Sequence, residues 1–308
     1  MAALSRNSSE LGWRSSERKL SWLFASPALL LLLVFIVVPF IMAFIYAFTD
    51  QRLVPGPNPT QFVGLRNFSR MISDERFLQA LLNNFVFVLV VVPVQTAMAL
   101  LLAVLINQKL KFVNLFRTLY FSPVAITMVV VSVVWAFLYE ASANGTINQF
   151  VNFVTFGLVG PQDWLGDRRF AFGAIMLLSI WQGVGFQMVI FLAGLQEIPY
   201  SLYEAAQIDG ANVREQFFNV TLPMLRNTTL FVIISTTILA FQLYAQVEVL
   251  TRGGPQNSTQ TMVFYTKVQG FEQGRIGYAS AITVIFFLIV LIISLVQRRI
   301  LQDEGQGA

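Results

Sequence analysis

The 308-residue sequence contains no cysteine and no histidine. The first absence excludes disulfides and thiolate chemistry. The second removes the commonest general base and a common metal ligand, so no metal site is expected. Charge is scarce as well: Asp, Glu, Lys and Arg make up 12% of the chain, against about 25% in an average soluble domain. There is no G-x-x-x-x-G-K-[ST] run, so the chain has no phosphate-cradling loop for ATP. Carboxylates fall in loops or at the ends of apolar runs, as Glu140 and Glu248 do, whereas proton or sodium coupling calls for acids deep in the membrane. The formal charge of +4 is spread along the chain with no basic arm, and no nucleic-acid partner is expected. An intramembrane enzyme would need a clustered catalytic set that these absences deny it.

What is present is apolar: 56% of residues are hydrophobic. Six runs are long enough to cross a bilayer, at about 20–48, 81–106, 119–139, 170–195, 228–247 and 278–296. The expected fold is an all-α membrane protein of six transmembrane helices. Residues 1–19 and 298–308 form polar tails, and 20–297 form one six-span domain. The first run is too long for a signal-peptide core and reads as an uncleaved span. Pro39 and Pro93 predict kinks, and Pro123 sits near the start of the third span. The amphipathic stretch 62–77 suits the membrane interface. Trp22, Trp135 and Trp164 fall near span boundaries and read as interfacial anchors, with Asn83 and Asn84 as caps of the second span. Six spans put both termini on one side. Arg6, Arg14, Arg18 and Lys19, with Lys109, Lys111 and Arg117 in an acid-free loop, place that side in the cytoplasm.

Between the fourth and fifth runs lies a polar island, 199–223, reading PYSLYEAAQIDGANVREQFFNVTLP. Ser201 with Glu204 three residues on is a capping-box pattern. Gly210 can take the left-handed conformation that ends a helix. Asn212 and Glu215 can start a second one, and Pro223 suits the opening turn of the next span. A helix-turn-helix knuckle results, on the cytoplasmic side, and Ala205 and Ala206 leave one face of it nearly flat.

A polar solute would need amides, hydroxyls and an aromatic platform within the spans. The fourth span offers Trp181, Gln182, Gly183, Phe186 and Gln187; the fifth offers Thr236, Gln242, Tyr244 and Gln246. Gln182 is equally suited to a solute or to a neighbouring helix, whereas Gln246 reads as helix packing. Gly183 and Gly185 permit close helix approach, and Arg252 reads as a solvated loop charge.

Glu204-Ala205-Ala206, then Asp209-Gly210, then Leu222-Pro223 at fixed spacing resembles the EAA loop of permease subunits in bacterial ATP-binding-cassette importers. Val220 stands where that pattern usually has isoleucine. Phe62 to Phe68, Ala193 to Gln196 with Ile198-Pro199, Leu250-Thr251 with Gly253-Gly254-Pro255, and Gly277 to Ala281 extend the resemblance to the compact six-span sugar permeases. That resemblance implies a multi-pass protein of the bacterial inner membrane. It would pair with a second permease, two copies of a cytoplasmic ATPase that carry the ATP and Mg, and an extracytoplasmic sugar-binding protein. It would itself bind no cofactor, work among membrane lipid and catalyse nothing. It implies ATPase coupling through Glu204, Ala205, Ala206, Asp209, Gly210, Leu222 and Pro223. It also places a sugar or sugar derivative near Ser179, Gln182, Gly183 and Phe186, and near Thr236, Ala240 and Leu243; the residues themselves add Gln242 and Tyr244. From the residues alone, a self-contained secondary transporter or channel for small polar solutes stays open.

Overall fold

The computed structural model describes residues 20–54, 56–57, 59–108 and 112–303, with side chains as far as residue 300. Both expected polar tails, apart from the helical stretch 298–303, lie outside these residues. So do Arg6, Arg14, Arg18, Lys19, Lys109 and Lys111 from the orientation argument. Among the described residues the chain is helical, with one isolated bridge between Thr49 and Phe62. In order the helices are α1 (Leu20–Tyr46), α2 (Arg66–Ile72), α3 (Glu75–Ile106), α4 (Val113–Phe121), α5 (Met128–Leu138), α6 (Thr146–Val154), α7 (Ala171–Glu197), α8 (Tyr200–Ile208), α9 (Val213–Gln216), α10 (Arg226–Phe241), α11 (Ala245–Leu250), α12 (Met262–Lys267) and α13 (Ile276–Asp303).

Five stretches are long and apolar enough to cross a membrane: α1, α3, α7, α10 with α11, and α13. The third expected span is not a straight helix. It breaks between Ala125 and Met128 with a bend of 102°, and it supplies a sixth crossing when its two arms count as one. Pro123 brings no N–H, the chain tightens into a 3-10 turn over Ser122–Ala125, and Ile126 and Thr127 are extended. By contrast α3 runs unbroken through Pro93. α1 continues through Pro39, after a wider π stretch over Leu33–Val37 that accommodates the ring.

The first cap of α3 also differs from expectation. Asp74 is its N-cap and accepts from the backbone N–H groups of Arg76 and Phe77. Asn83 and Asn84 lie two turns further in, buried, where they tie α3 to the segment after α10. Asn84 Nδ2 donates to the Phe241 carbonyl (3.1 Å) and its Oδ1 accepts from Met262 N–H (2.7 Å). Asn83 Nδ2 donates to the Gln260 carbonyl at 2.8 Å. Trp135 and Trp164 are packed inward rather than standing free at an interface. Trp135 packs at a tilt against Trp181, and Trp164 donates to Asn148 Oδ1 at 2.8 Å. Trp22 is exposed.

The core is three stacked clusters around α3 and α7. Phe77, Ala80, Tyr265 and Tyr278 pack at the start of α3. Phe87, Val88, Val91 and Val92 meet Ile175, Ile180 and Phe241 in the middle. Ala99 and Ala103 meet Val184, Met188 and Phe191, ending at Ile198 and Leu225 beside the knuckle. Alanines with no exposed surface let α3 and α7 approach closely, which is how helices associate where lipid removes the hydrophobic drive.

Candidate functional site

Midway along the bundle, between α3, α5, α7 and α10, lies a cavity of about 460 Å³. It exists because α10 stops. The chain leaves helical geometry at Gln242–Tyr244 before α11 resumes the crossing. A break at that depth strands backbone carbonyls that need partners. Asn84 serves the Phe241 carbonyl, and Thr261 Oγ1 donates to the Leu243 carbonyl at 2.8 Å. The bent pair α4–α5 closes another side with Val124 and Met128. It can approach because Gly185 lacks a Cβ: one built there would stand 1.9 Å from the Tyr120 carbonyl oxygen.

Ser179, Gln182, Gly183, Phe186, Thr236, Gln242 and Tyr244 all line this cavity, as do Ala240 and Leu243. Gln95, Gln187 and Gln246 complete a set of five glutamines, and no lining residue carries a charge. Gln246 Nε2 donates to Ser179 Oγ (3.2 Å), so its packing role and its place on the wall coexist. Gln187 Nε2 donates to Thr236 Oγ1, while its buried Oε1 has no partner. Gln182 makes one long bond, 3.5 Å, to the Pro123 carbonyl. A Cβ at Gly183 would strike the Gln95 carboxamide at 2.4 Å. Phe186, Leu239 and Gln242 stand exposed at the rim. The expected platform residue Trp181 instead packs on Trp135, at 5.4 Å between rings, and is not part of the wall. Gln95 and Ser235 are polar lining residues that the sequence did not single out; a lone amide inside the apolar run of α3 was the signal for Gln95.

The knuckle sits at the other end of α7 and α10. α8 starts two residues earlier than a Ser201 N-cap would place it. Pro199 is the N-cap, with φ −60° and ψ 129°, and no side chain caps this helix. The proline ring fixes φ at the N-cap and the Leu202 N–H already returns to the Pro199 carbonyl at 3.1 Å, so the Ser201–Glu204 box does not form. Gly210 does adopt φ +83°, and the Ala211 N–H closes on the Ala206 carbonyl at 2.9 Å. The capping box in this loop is Asn212 with Glu215, at the start of α9. From α9 the helical path continues through a π stretch (Phe217–Thr221) and a turn holding Leu222 and Pro223, then bends at buried Leu225 into α10. The π bond from Leu222 N–H to the Phe217 carbonyl widens the turn just before the proline. Tyr203 Oη and Thr221 Oγ1, 2.9 Å apart, fasten α8 to this stretch. Glu204 and Ala205 are exposed on α8, and Ile208 (86% exposed) and Val213 (83%) project at the tip.

At the end where α3 begins, Asp74 does more than cap. Its Oδ2 accepts from Tyr265 Oη (2.5 Å) and Tyr278 Oη (2.6 Å). Burial alone would raise this carboxyl. The two tyrosine hydroxyls and the Phe77 and Arg76 N–H groups outweigh burial and hold it below the usual carboxylate value.

A helical membrane bundle with an uncharged mid-depth cavity, joined by one helical path to an exposed knuckle, is the build of an importer permease. The chain belongs to the family described as binding-protein-dependent transport system inner membrane component, which its residues 69–303 match. That family consists of transport components, so the chain is a multi-pass membrane protein and not an enzyme, as its resemblance to sugar-importer permeases had implied. It is 32% identical over 302 residues to the arabinooligosaccharides transport system permease protein AraP of Bacillus subtilis, covering 96% of this chain and 94% of that one. It is 33% identical to the trehalose/maltose transport system permease protein MalF of Thermococcus litoralis, covering 92% and 94%. Its fold matches a chain of the bacterial alginate ABC transporter in complex with an alginate pentasaccharide-bound periplasmic protein. The TM-score is 0.81 at 21% identity, over 94% of this chain and 98% of that one.

Proposed function

We propose that this chain is a permease subunit of an ATP-driven sugar importer, forming half of the translocation path with six crossings and cytoplasmic termini. The observation that carries the reading is the convergence of amides, hydroxyls and an aromatic ring from α3, α7 and α10–α11 on one charge-free cavity. Each carboxamide both donates and accepts, which suits a neutral polyhydroxylated solute and gives no anchor to an ion. The curated relatives named for arabinooligosaccharides and for trehalose and maltose support that class. The exposed rim formed by Phe186, Leu239 and Gln242 is where a second permease would close the path.

Energy must come from another subunit, because this chain has no phosphate-binding loop. The proposed seat is the knuckle: Glu204, Ala205, Ala206, Asp209 and Gly210 meet a cytoplasmic ATPase that holds the ATP and Mg, and Leu222 and Pro223 pass the motion on. From Val213 to Thr236 the path spans about 35 Å at 1.5 Å per residue. Displacement at the knuckle therefore reaches the cavity along one continuous stretch of chain, which bends at Leu225. An extracytoplasmic binding protein would deliver the sugar at the opposite end.

Two variants test the two halves of this reading in the complex purified with its copurifying subunits. Gln182→Leu is expected to lower sugar uptake while assembly and ATPase rate stay near wild type; unchanged uptake removes Gln182 from the path. Glu204→Ala is expected to separate ATP hydrolysis from uptake; full transport with full stimulated hydrolysis refutes the coupling seat.

A further inference from the structure

A second hollow, about 610 Å³, lies at the opposite end of the molecule from the knuckle. Four arginines line it, Arg52, Arg66, Arg70 and Arg275, against one carboxylate, Asp50. Arg70 stacks over the Tyr278 ring at 4.5 Å. Among the described residues Arg52, Arg66 and Arg275 have no side-chain ion pair or hydrogen bond, whereas Asp50 Oδ1 is already engaged by the Gln61 N–H at 2.6 Å. The neighbouring hollow brings Asp74 and Glu75 near Arg70 and Arg275, but Asp74 is committed to Tyr265 and Tyr278.

The hollow is built rather than accidental. Three separate segments are stitched together around it. Asn67 Nδ2 donates to the Ala47 and Thr49 carbonyls at 2.9 and 2.8 Å. Leu53 N–H donates to the Gly274 carbonyl, and Gly277 N–H to the Gln51 carbonyl, both at 2.9 Å. Gly277 packs so tightly that a Cβ there would meet the Thr49 carbonyl oxygen at 2.1 Å. Four guanidinium groups, three of them without a side-chain ion pair or hydrogen bond, are thus gathered at one place by fixed backbone against the single lining carboxylate Asp50.

Its height and its border identify the ligand. The hollow lies where α1 ends, α3 begins and α13 begins, which is headgroup level for helices that cross the bilayer. Beside Arg66 and Arg70 the same segment exposes Phe62 (79%), Leu65 (69%) and Ile72 (79%). Leu65 and Ile72 are seven residues apart and share one face of α2. Guanidinium groups bordered by an apolar stripe match a phosphate with acyl chains beside it. An acidic protein surface would satisfy the arginines and leave the stripe in water.

We propose that this hollow binds the headgroup phosphate of an anionic phospholipid in the outer leaflet. The test is native mass spectrometry of the full chain, purified with its copurifying subunits and titrated with phosphatidylglycerol or phosphatidylcholine. Wild type is expected to retain phosphatidylglycerol preferentially. Arg66→Gln with Arg275→Gln is expected to weaken that retention about fivefold per arginine, roughly 25-fold in all. Equal retention of both lipids overturns the proposal, as does displacement of phosphatidylglycerol by millimolar inorganic phosphate, which marks a free-anion site. Should the double variant fail to fold, Arg52→Gln gives the same titration. Phe62→p-benzoylphenylalanine gives an independent reading: photo-crosslinks to phosphatidylglycerol support the site, and crosslinks to a protein instead overturn it.

Discussion

Gly185→Ala tests whether the bent third crossing and the cavity are built as described. A Cβ at residue 185 stands 1.9 Å from the Tyr120 carbonyl oxygen, 2.7 Å from its carbon and 3.2 Å from Phe121 Cα. All three atoms are backbone, so no side-chain rotation relieves the clash. Restoring an ordinary contact of about 3.4 Å requires α4 to retreat by roughly 1.5 Å, and overpacking of this kind costs about 1–3 kcal/mol. Alanine also gains about 1 kcal/mol of helix propensity, which would mask part of the loss. Gly173→Ala is the internal control: it lies in the first turn of the same helix with nothing within 4 Å, so it takes a propensity gain of the same sign without the clash. The difference in melting temperature between the two variants, read by fluorescence-detected size exclusion after heating, isolates the packing cost. At roughly 2–4 °C per kcal/mol it should amount to several degrees. Uptake should fall further than stability, because the retreat carries Val124 and the Pro123 carbonyl away from Gln182. Equal melting temperatures for the two variants would refute the close approach of α4 to α7.

Asn84→Leu removes the partners of both the Phe241 carbonyl and the Met262 N–H in a fully buried place. At about 1–3 kcal/mol for each orphaned group, the protein should be recovered in low yield and melt early, and wild-type thermostability would show that the break after α10 needs no such staple. Asp74→Ala should cost about 1–2 kcal/mol from loss of the α3 N-cap alone. Asp74 also predicts a pH dependence. Its folded value lies below its ordinary 3.8, so its stabilisation is complete above that ordinary value and is lost as pH falls through the folded one. Acid melts of wild type should therefore lose stability that the Ala variant no longer has to lose; parallel melts would remove Asp74 from the account.

How much of this was legible beforehand follows from how local each feature is. The left-handed Gly210 and the Asn212–Glu215 start are set by neighbouring residues and were readable. The Ser201 box was equally local, yet Pro199 began the helix two residues earlier, so two local rules competed and the covalent one won. The 102° bend was not readable, since Pro123 among apolar residues is also compatible with a straight entry; the seat of its first arm against α7 depends on Gly185, sixty-two positions beyond Pro123 in sequence. Asn83 and Asn84 misled for the same reason: a polar pair near the start of a span suits a cap, and only the fold brings Phe241, Gln260 and Met262 to them. Cavity residues were legible as amides and hydroxyls out of place in apolar runs, although Trp181 showed that residue type alone does not decide which way a ring faces.

The helical path from knuckle to cavity has one soft point, and its position matters to the proposed cycle. α9, the π stretch and the Leu222–Met224 turn bend into α10 at Leu225, where Pro223 offers no N–H and the wide turn before it carries longer-range bonds. Leu225 is fully buried against the α3–α7 pair, and Gly194 of α7 lies so close that a Cβ there would meet Thr228 and Leu225. Close packing at Leu225 resists sliding there, while the missing proline N–H leaves the angle of the bend less restrained. In the proposed cycle a push on the knuckle would turn into rotation of α10 about Leu225, moving Ser235, Thr236 and Leu239 across the cavity wall while the Asn84 and Thr261 staples hold the far end of α10. Gly194→Leu fills that pivot. It should slow uptake while leaving the knuckle exposed and able to engage an ATPase, and uptake at the wild-type rate would place the moving joint elsewhere.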